Sequence, residues 1–321
     1  MGSFISRQLA SIIPTILLSI VINFVLLHAA PGDPARVLAG RDNPTEEQIA
    51  AIRAELGLDQ PLPVQFWSYV RELAQGNMGQ SLAFKQPVFD LIMSRLPATL
   101  LLTLTSAVLA LVIGTLLGVI AAQRAGGTVD TALSFGNYAL FAMPSFWLGL
   151  LMIVIFASTL GWLPTAGMRN VRADYTGWRD ALDVLQHLIL PATTLALVQI
   201  PIYFRITRAS VLQQQREDYV TTFRATGMPE SRVFRRYALR NALLPTVTVF
   251  GLSLGFVFTG AALVEIVFAW PGIGRLTLDA VFRRDYPLLL GVYLILAIAV
   301  SVAVLLTDLL YAVLDPRIRL R

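Results

Sequence analysis

The sequence predicts an all-α membrane protein with six transmembrane helices, and two observations carry that prediction. The 321 residues are 56% hydrophobic and only 14% charged, and the mean hydropathy is +0.67, where a soluble domain sits near or below zero. The charges are also clustered. Six intervals between consecutive charged residues, 8–32, 96–123, 131–168, 184–204, 241–264 and 286–307, reach the ~20 apolar residues that a helix needs to cross the hydrocarbon. Backbone amides in lipid must be paired internally, and these runs are too long and too poorly alternating for barrel strands, so helices are the spanning solution.

Each element follows in order. The first span, 9–30, begins after Arg7; it is longer than a signal-peptide core, and Pro31 directly after Ala29 and Ala30 opposes cleavage there. The connection 31–95 holds two amphipathic pieces. Asn43 caps a helix with Pro44 at its first position and Glu46 at its third, Ile49, Ile52 and Leu56 share a face, and Gly57 ends it. A second piece, VQFWSYVREL, follows Pro61 and Pro63 and stops near Gly76, giving a small cap on the outer membrane surface. Spans 98–122 and 132–160 come next, and the tail of the third interval, LGWLPTAG, is a surface turn because the interval exceeds one crossing but not two. Spans 187–208, 243–265 and 287–312 complete the set, with residues 209–242 between the fourth and fifth. Gly114 with Gly118, and Gly251 with Gly255, are small-xxx-small pairs that permit close helix contact. Pro144, Pro191 and Pro201 kink or interrupt their helices, freeing carbonyls that must face protein or a water-filled path.

Six crossings place both termini on one side, together with the connections after spans two and four. Arg7, Arg124, eight arginines from Arg205 to Arg240, and Arg317, Arg319 and Arg321 fall there, which makes that side cytoplasmic. Local balance decides it. Residues 31–95 carry eight acids against six bases, whereas 205–240 carry three acids against eight bases. Arg283 and Arg284, near the sixth span on the outer side, run against the rule. The net charge of +5 and the pI near 9.8 therefore belong to topology and a lipid bilayer, with no nucleic-acid partner implied.

Several chemistries are absent. No ionisable residue occupies the middle of a span, since Glu265 and Asp308 lie at span ends, so an ion-coupled secondary transporter is disfavoured. No charged or carbonyl-rich filter string marks a channel subunit. The sole lysine, Lys85, lies in no phosphate-cradling loop. There is no cysteine, and the only histidines, His28 and His187, form no HExxH pair and sit near span ends. Catalytic, cofactor and metal sites are expected to be none.

The segment Arg216 to Arg240 remains to be explained. REDYVTTFRAT is helical, with Tyr219 and Phe223 four residues apart on one face; Gly227 ends it in the left-handed conformation. Pro229 and Glu230 open a second helix. Such a helix-elbow-helix fits a groove on another protein. It equally fits a topological anchor touching lipid headgroups, and physics alone leaves both readings open.

Eleven strings, in order, resemble the first of the two permeases of the dipeptide/oligopeptide/nickel family of bacterial and archaeal ABC importers: LLHAAPGDPA, AELGLDQPLPVQF, RLPATL, MPSFWLGL, LGWLPTAG, LILPATTLAL, EDYVTTFRATG, LRNALLPTVTVFG, VEIVFAWPGIGRL, RDYPLL and DLLYAVLDPRIRL. The resemblance implies a type I importer permease architecture, with 1–321 as a single transmembrane permease domain in a prokaryotic plasma membrane. It implies a second homologous permease, two ATPase subunits that bind ATP and Mg, and an extracytoplasmic substrate-binding protein, with peptides as the commonest cargo. The segment resembles the EAA coupling loop that docks on the ATPase. That resemblance nominates Glu217, Asp218, Tyr219, Thr222, Phe223, Arg224, Ala225, Gly227, Met228, Pro229 and Arg232 as docking residues. It departs from the general motif in having Thr221, Thr222 and Phe223 where Glu-Ala-Ala stands, and in a longer interval from Gly227 to Pro245. Candidates for the pathway or gate are Pro144, Ser145, Phe146, Thr246, Thr248, Phe250, Gly251 and Ser253.

Overall fold

The structure, a computed structural model, describes residues 2–29, 45–55, 59–256 and 262–314. Among the described residues there is no strand, only an isolated antiparallel bridge between Gln80 and Pro87. Three helices are long and apolar enough to cross a membrane: Val88–Gln123, Trp178–Gln214 and Tyr286–Leu305. The pair Thr128–Ala142 and Ser145–Thr159, bent by 105°, meets the same criterion only when taken together, as a broken span or a re-entrant loop. In chain order the helices are α1 (Gly2–Ala29), α2 (Glu46–Glu55), α3 (Leu62–Ala74), α4 (Val88–Gln123), α5 (Thr128–Ala142) and α6 (Ser145–Met152), the last running on as a π-helix over Ile153–Thr159. Then come α7 (Trp178–Gln214), α8 (Asp218–Ala225) and α9 (Glu230–Arg232), which passes through a π-helical stretch, Val233–Ala238, into α10 (Leu239–Ala242). They are followed by α11 (Leu244–Phe256), α12 (Ala262–Val267), α13 (Ile273–Arg283) and α14 (Tyr286–Leu314).

The spine is α4 against α7, and glycine makes it possible. A Cβ on Gly114 would lie 2.7 Å from the Ile200 carbonyl oxygen, and one on Gly118 would lie 2.8 Å from that of Phe204. The absent side chains let the two backbones touch. These contacts also fix direction: Ala98 and Leu102 pack with Leu188 and Leu190, Gly114 meets Ile200, and Gly118 meets Phe204, so α4 and α7 are parallel. Helix α14 sets out from the same end as α4, since Asp285 before it accepts from Ser81 and Ala83 before α4 and Gly291 faces Val88 and Ile92, so the two also run parallel. Helix α5 runs the other way, from Arg208 through Phe204 to Pro201, and α6 continues past Thr194 at Gly149. Helix α11 also ascends against α7, its Thr246 hydroxyl 2.9 Å from that of Thr207 and its Phe250 beside Tyr203.

Two local expectations differ from the fold. Pro191 and Pro201 do not interrupt α7, which is continuous across both; its neighbours hold it together where the ladder bonds are missing. The Asn43 cap lies outside the described residues, and within them Thr45 caps α2, its hydroxyl accepting from the Gln48 amide while Gln48 Oε1 accepts from the Thr45 amide. Leu56 and Gly57 also lie outside. The second cap piece is α3, followed by Gly76 at φ +81. It meets α1 through Phe66 edge-on to Phe24 and through His28, whose Nε2 is 2.9 Å from Gln65 Oε1.

Two buried carboxylates tie the ends of the helices together. Glu265, fully buried, accepts from the Thr99 hydroxyl at 2.8 Å and from the Arg275 amide at 3.0 Å, so it caps α13 from the preceding helix. Its carboxylate fills the space that a side chain at Gly272 would need. Asp285, also fully buried, caps α14 through the Leu288 amide and accepts from the Ser81 hydroxyl and the Ala83 amide of the loop before α4. Sequence alone puts both acids beside apolar runs. It cannot show that they turn back onto amides.

Candidate functional site

The segment between α7 and α11 is a self-supporting arm. Helix α8 begins at Glu217, in extended conformation, and closes on Gly227 at φ +76. There the Met228 amide donates to the Phe223 carbonyl (3.2 Å) and the Gly227 amide to that of Arg224 (3.0 Å), the paired bonds of a Schellman turn. Pro229 then precedes α9. Val220, Val233 and Ala238 are buried between the two limbs, with Tyr219, Phe223, Met228 and Phe234 packed around them. Phe223 stacks on Tyr237 with ring centroids 4.4 Å apart. The Tyr219 hydroxyl donates to Gln214 Oε1 at 2.7 Å and accepts from Asn241 Nδ2 at 3.3 Å, fastening the arm to α7 and α10.

Arg224 bridges the elbow. Its Nε and Nη2 donate to Glu230 at 2.9 and 2.7 Å, a fork geometry that raises the guanidinium pKa and lowers that of the carboxyl. Both groups are exposed, so the bond shapes the tip more than it stabilises it. Of the eleven docking candidates, Asp218, Thr222, Arg224, Ala225, Gly227, Pro229 and Arg232 are exposed, and Glu217, Tyr219, Phe223 and Met228 are half-buried. The arm thus presents a small polar tip over an aromatic base.

The pathway candidates fall into two groups. Pro144 caps α6 at the break after α5, with Ser145 opening the new helix and Phe146 exposed. On α11, Thr246 and Gly251 are buried, Thr246 against Thr207, while Thr248, Phe250 and Ser253 are half-buried and the Ser253 hydroxyl donates back to the Val249 carbonyl. Pro144 thus marks the sharp bend of the α5–α6 pair, and in the α11 group Thr246 and Phe250 pack on α7.

A third feature was not legible in the sequence. Asp130, on the first turn of α5, accepts two parallel bonds from Arg208 of α7, Nε to Oδ1 at 2.6 Å and Nη2 to Oδ2 at 2.7 Å, and a third from the Gly126 amide. The Arg208 guanidinium holds the Asp130 carboxyl down at about 2. The signal available was an acid beside one charge-free interval and a base beside another, which names no partner. Among the described residues no group of three or more metal-ligating side chains occurs.

Comparison with known proteins places these features in a family. Residues 1–103 match the family described as "Binding-prot-dependent transport system membrane comp, N-term", and residues 114–320 match "Binding-protein-dependent transport system inner membrane component". The chain is 40% identical over 333 residues to the di/tripeptide transport system permease protein DppB of Pseudomonas aeruginosa, and 39% identical over 319 residues to the oligopeptide transport system permease protein AppB of Bacillus subtilis. It is 40% identical over 327 residues to the glutathione transport system permease protein GsiC of Salmonella typhimurium. Each alignment covers 99% of both chains. The relatives are transport permeases rather than enzymes, and the match runs through every element described above. The chain belongs to the family of inner membrane components of binding-protein-dependent transport systems.

Proposed function

We propose that this ABC importer permease carries di- and oligopeptides, as half of a pore completed by a second homologous permease. The observation that carries the cargo class is the full-length likeness to permeases named for di/tripeptide, oligopeptide and glutathione transport. Two ATPase subunits holding ATP and Mg bind at the arm, and an extracytoplasmic binding protein delivers the peptide. The exposed tip from Asp218 to Arg232 docks on the ATPase, while the aromatic base transmits its movement to α7 and α11 through Tyr219, Gln214 and Asn241. Pro144, Ser145 and Phe146 form a gate at the bend, and Thr246, Thr248, Phe250, Gly251 and Ser253 steer the helix beside it. Coupling needs two global states that both the ATPase and the cargo bias.

Six crossings are supported by helix direction. Helices α4, α7 and α14 are mutually parallel, so each interval between them calls for an odd number of crossings; the α5–α6 pair is the candidate in the first, and α11, antiparallel to α7, has the direction required in the second. Helix α1 adds the sixth. Its Asn23 amide donates to the Leu290 carbonyl, near the start of α14, and its end meets the α3 cap. With the arginine balance, this supports a topology in which both termini and the arm lie in the cytoplasm of a prokaryotic cell. The test is affinity isolation of the chain from its own membranes, followed by uptake of a labelled dipeptide in proteoliposomes. Recovery of two nucleotide-binding proteins with ATP-dependent uptake is expected; dipeptide uptake driven by an ion gradient without them overturns the proposal.

A further inference from the structure

Helices α5 and α7 enclose a notch of about 110 Å³, whose wall includes Asn137, Tyr138 and Phe141 on one side and Ile202, Arg205 and Arg208 on the other. Three properties set it apart from ordinary helix packing. Asn137 is 5% exposed, its Nδ2 donates to the Leu133 carbonyl at 2.8 Å, and its Oδ1 has no hydrogen-bond partner. A buried acceptor without a donor is a cost that nothing among the described residues offsets. Arg205 is exposed and has no ionic or hydrogen-bonded partner among the described residues, whereas Arg208 next to it is fully engaged by Asp130. Tyr138 and Phe141 leave their rings 67% and 61% exposed at the edge. The notch therefore offers one cation, one acceptor in need of a donor, and an apolar wall.

We infer that this notch holds the C-terminal residue of a short peptide in transit: the carboxylate meets Arg205, the last peptide N–H donates to Asn137 Oδ1, and the side chain lies on Phe141 and Ile202. A peptide terminus carries an anion and an N–H one residue apart, matching the cation and the orphan acceptor, and the volume suits one residue rather than a whole ligand. The likeness of the chain to permeases named for di/tripeptide and oligopeptide transport favours this occupant over a phospholipid headgroup, and the experiment below separates the two. The inference rests on the peptide reading above and adds a residue-level station to it.

The test uses the transporter isolated with its co-purifying partners in nanodiscs, turning over ATP with binding protein loaded with alanyl-photoleucine. Photolysis and mass spectrometry should place adducts on Tyr138, Phe141 or Ile202, and labelling should fall about tenfold or more in Arg205→Gln and in Asn137→Leu. ATPase stimulation by loaded binding protein should persist in both variants. The melting temperature of Asn137→Leu should stay level or rise, because the substitution removes an unpaired acceptor; a fall there, with labelling unchanged, would mark Asn137 as structural and overturn the assignment. Adducts elsewhere during normal uptake, or a phospholipid retained by the wild type and lost from Arg205→Gln, sink the notch while sparing the peptide reading. Absence of dipeptide uptake by the wild type overturns the cargo class itself.

Discussion

Asp130 is tied to a helix 78 residues away by a two-pronged bond, and its carboxyl has lost most of its access to water. Asp130→Asn keeps the shape and leaves the Arg208 guanidinium without its counter-charge, at a cost of about 2 kcal/mol, less than the ~3–5 kcal/mol of a fully buried pair because Arg208 retains some exposure. The sign of the pH dependence follows from the depressed value. Folded Asp130 titrates at about 2 against an ordinary 3.8, so the unfolded chain takes up the proton first; the stabilisation is complete above pH 3.8 and disappears as pH falls through 2. The melting temperature of the wild type should exceed that of Asp130→Asn by a constant margin from pH 7 to pH 5, and the margin should shrink below pH 4. A margin that does not change down to pH 2 would mean the ion pair is not formed in the membrane protein.

At the scale of single elements, the elbow separates strain from crowding. A Cβ on Gly227 would touch nothing within 4 Å, so a substitution there meets only the backbone penalty of φ +76. Gly227→Val should weaken the arm by about 1–2 kcal/mol and Gly227→Asn by less, since Asn tolerates the left-handed region. Uptake and ATPase recovery should fall in the order Gly, Asn, Val at constant membrane abundance; equal uptake in all three would make the arm a charged anchor. Phe223→Ala acts differently, because Phe223 supports Tyr237 and the buried Val220 as well as the tip. It should loosen the arm to proteolysis and reduce partner recovery together, whereas Arg224→Ala should reduce recovery without loosening it, its bond to Glu230 being exposed. The elbow was legible in sequence because Gly, Pro and Glu at fixed offsets are local signals, and a close helix contact at Gly114 and Gly118, without its partner, because small residues repeat there at four residues. The arm's own aromatic packing and the Asp130–Arg208 bond were not, because both depend on which limbs the fold brings together. Of the prolines expected to kink or interrupt their helices, Pro144 sits at a break, whereas the helix carrying Pro191 and Pro201 is not interrupted at either.

For the whole molecule, the absence of cysteine makes topology directly measurable, since a single introduced thiol is the only one in the chain. Thr226→Cys should react with an impermeant maleimide only from the cytoplasm and Gln60→Cys only from outside, while reaction of both from one face would refute six crossings. The two buried carboxylates near the starts of α13 and α14 set a further expectation. Besides the Thr99 and Ser81 hydroxyls, each accepts from main-chain amides that no side-chain rotation on the donor residue can withdraw: Arg275 donates to Glu265, and Ala83 and Leu288 donate to Asp285. Whatever rocking accompanies transport, these amides travel together with their acceptors. In deuterated buffer Arg275, Ala83 and Leu288 should exchange at one slow rate that turnover does not accelerate, while the amides of the arm near Gly227 exchange quickly. The protein would then keep two clocks, one marking the block that moves as a unit and one marking the joint on which it turns.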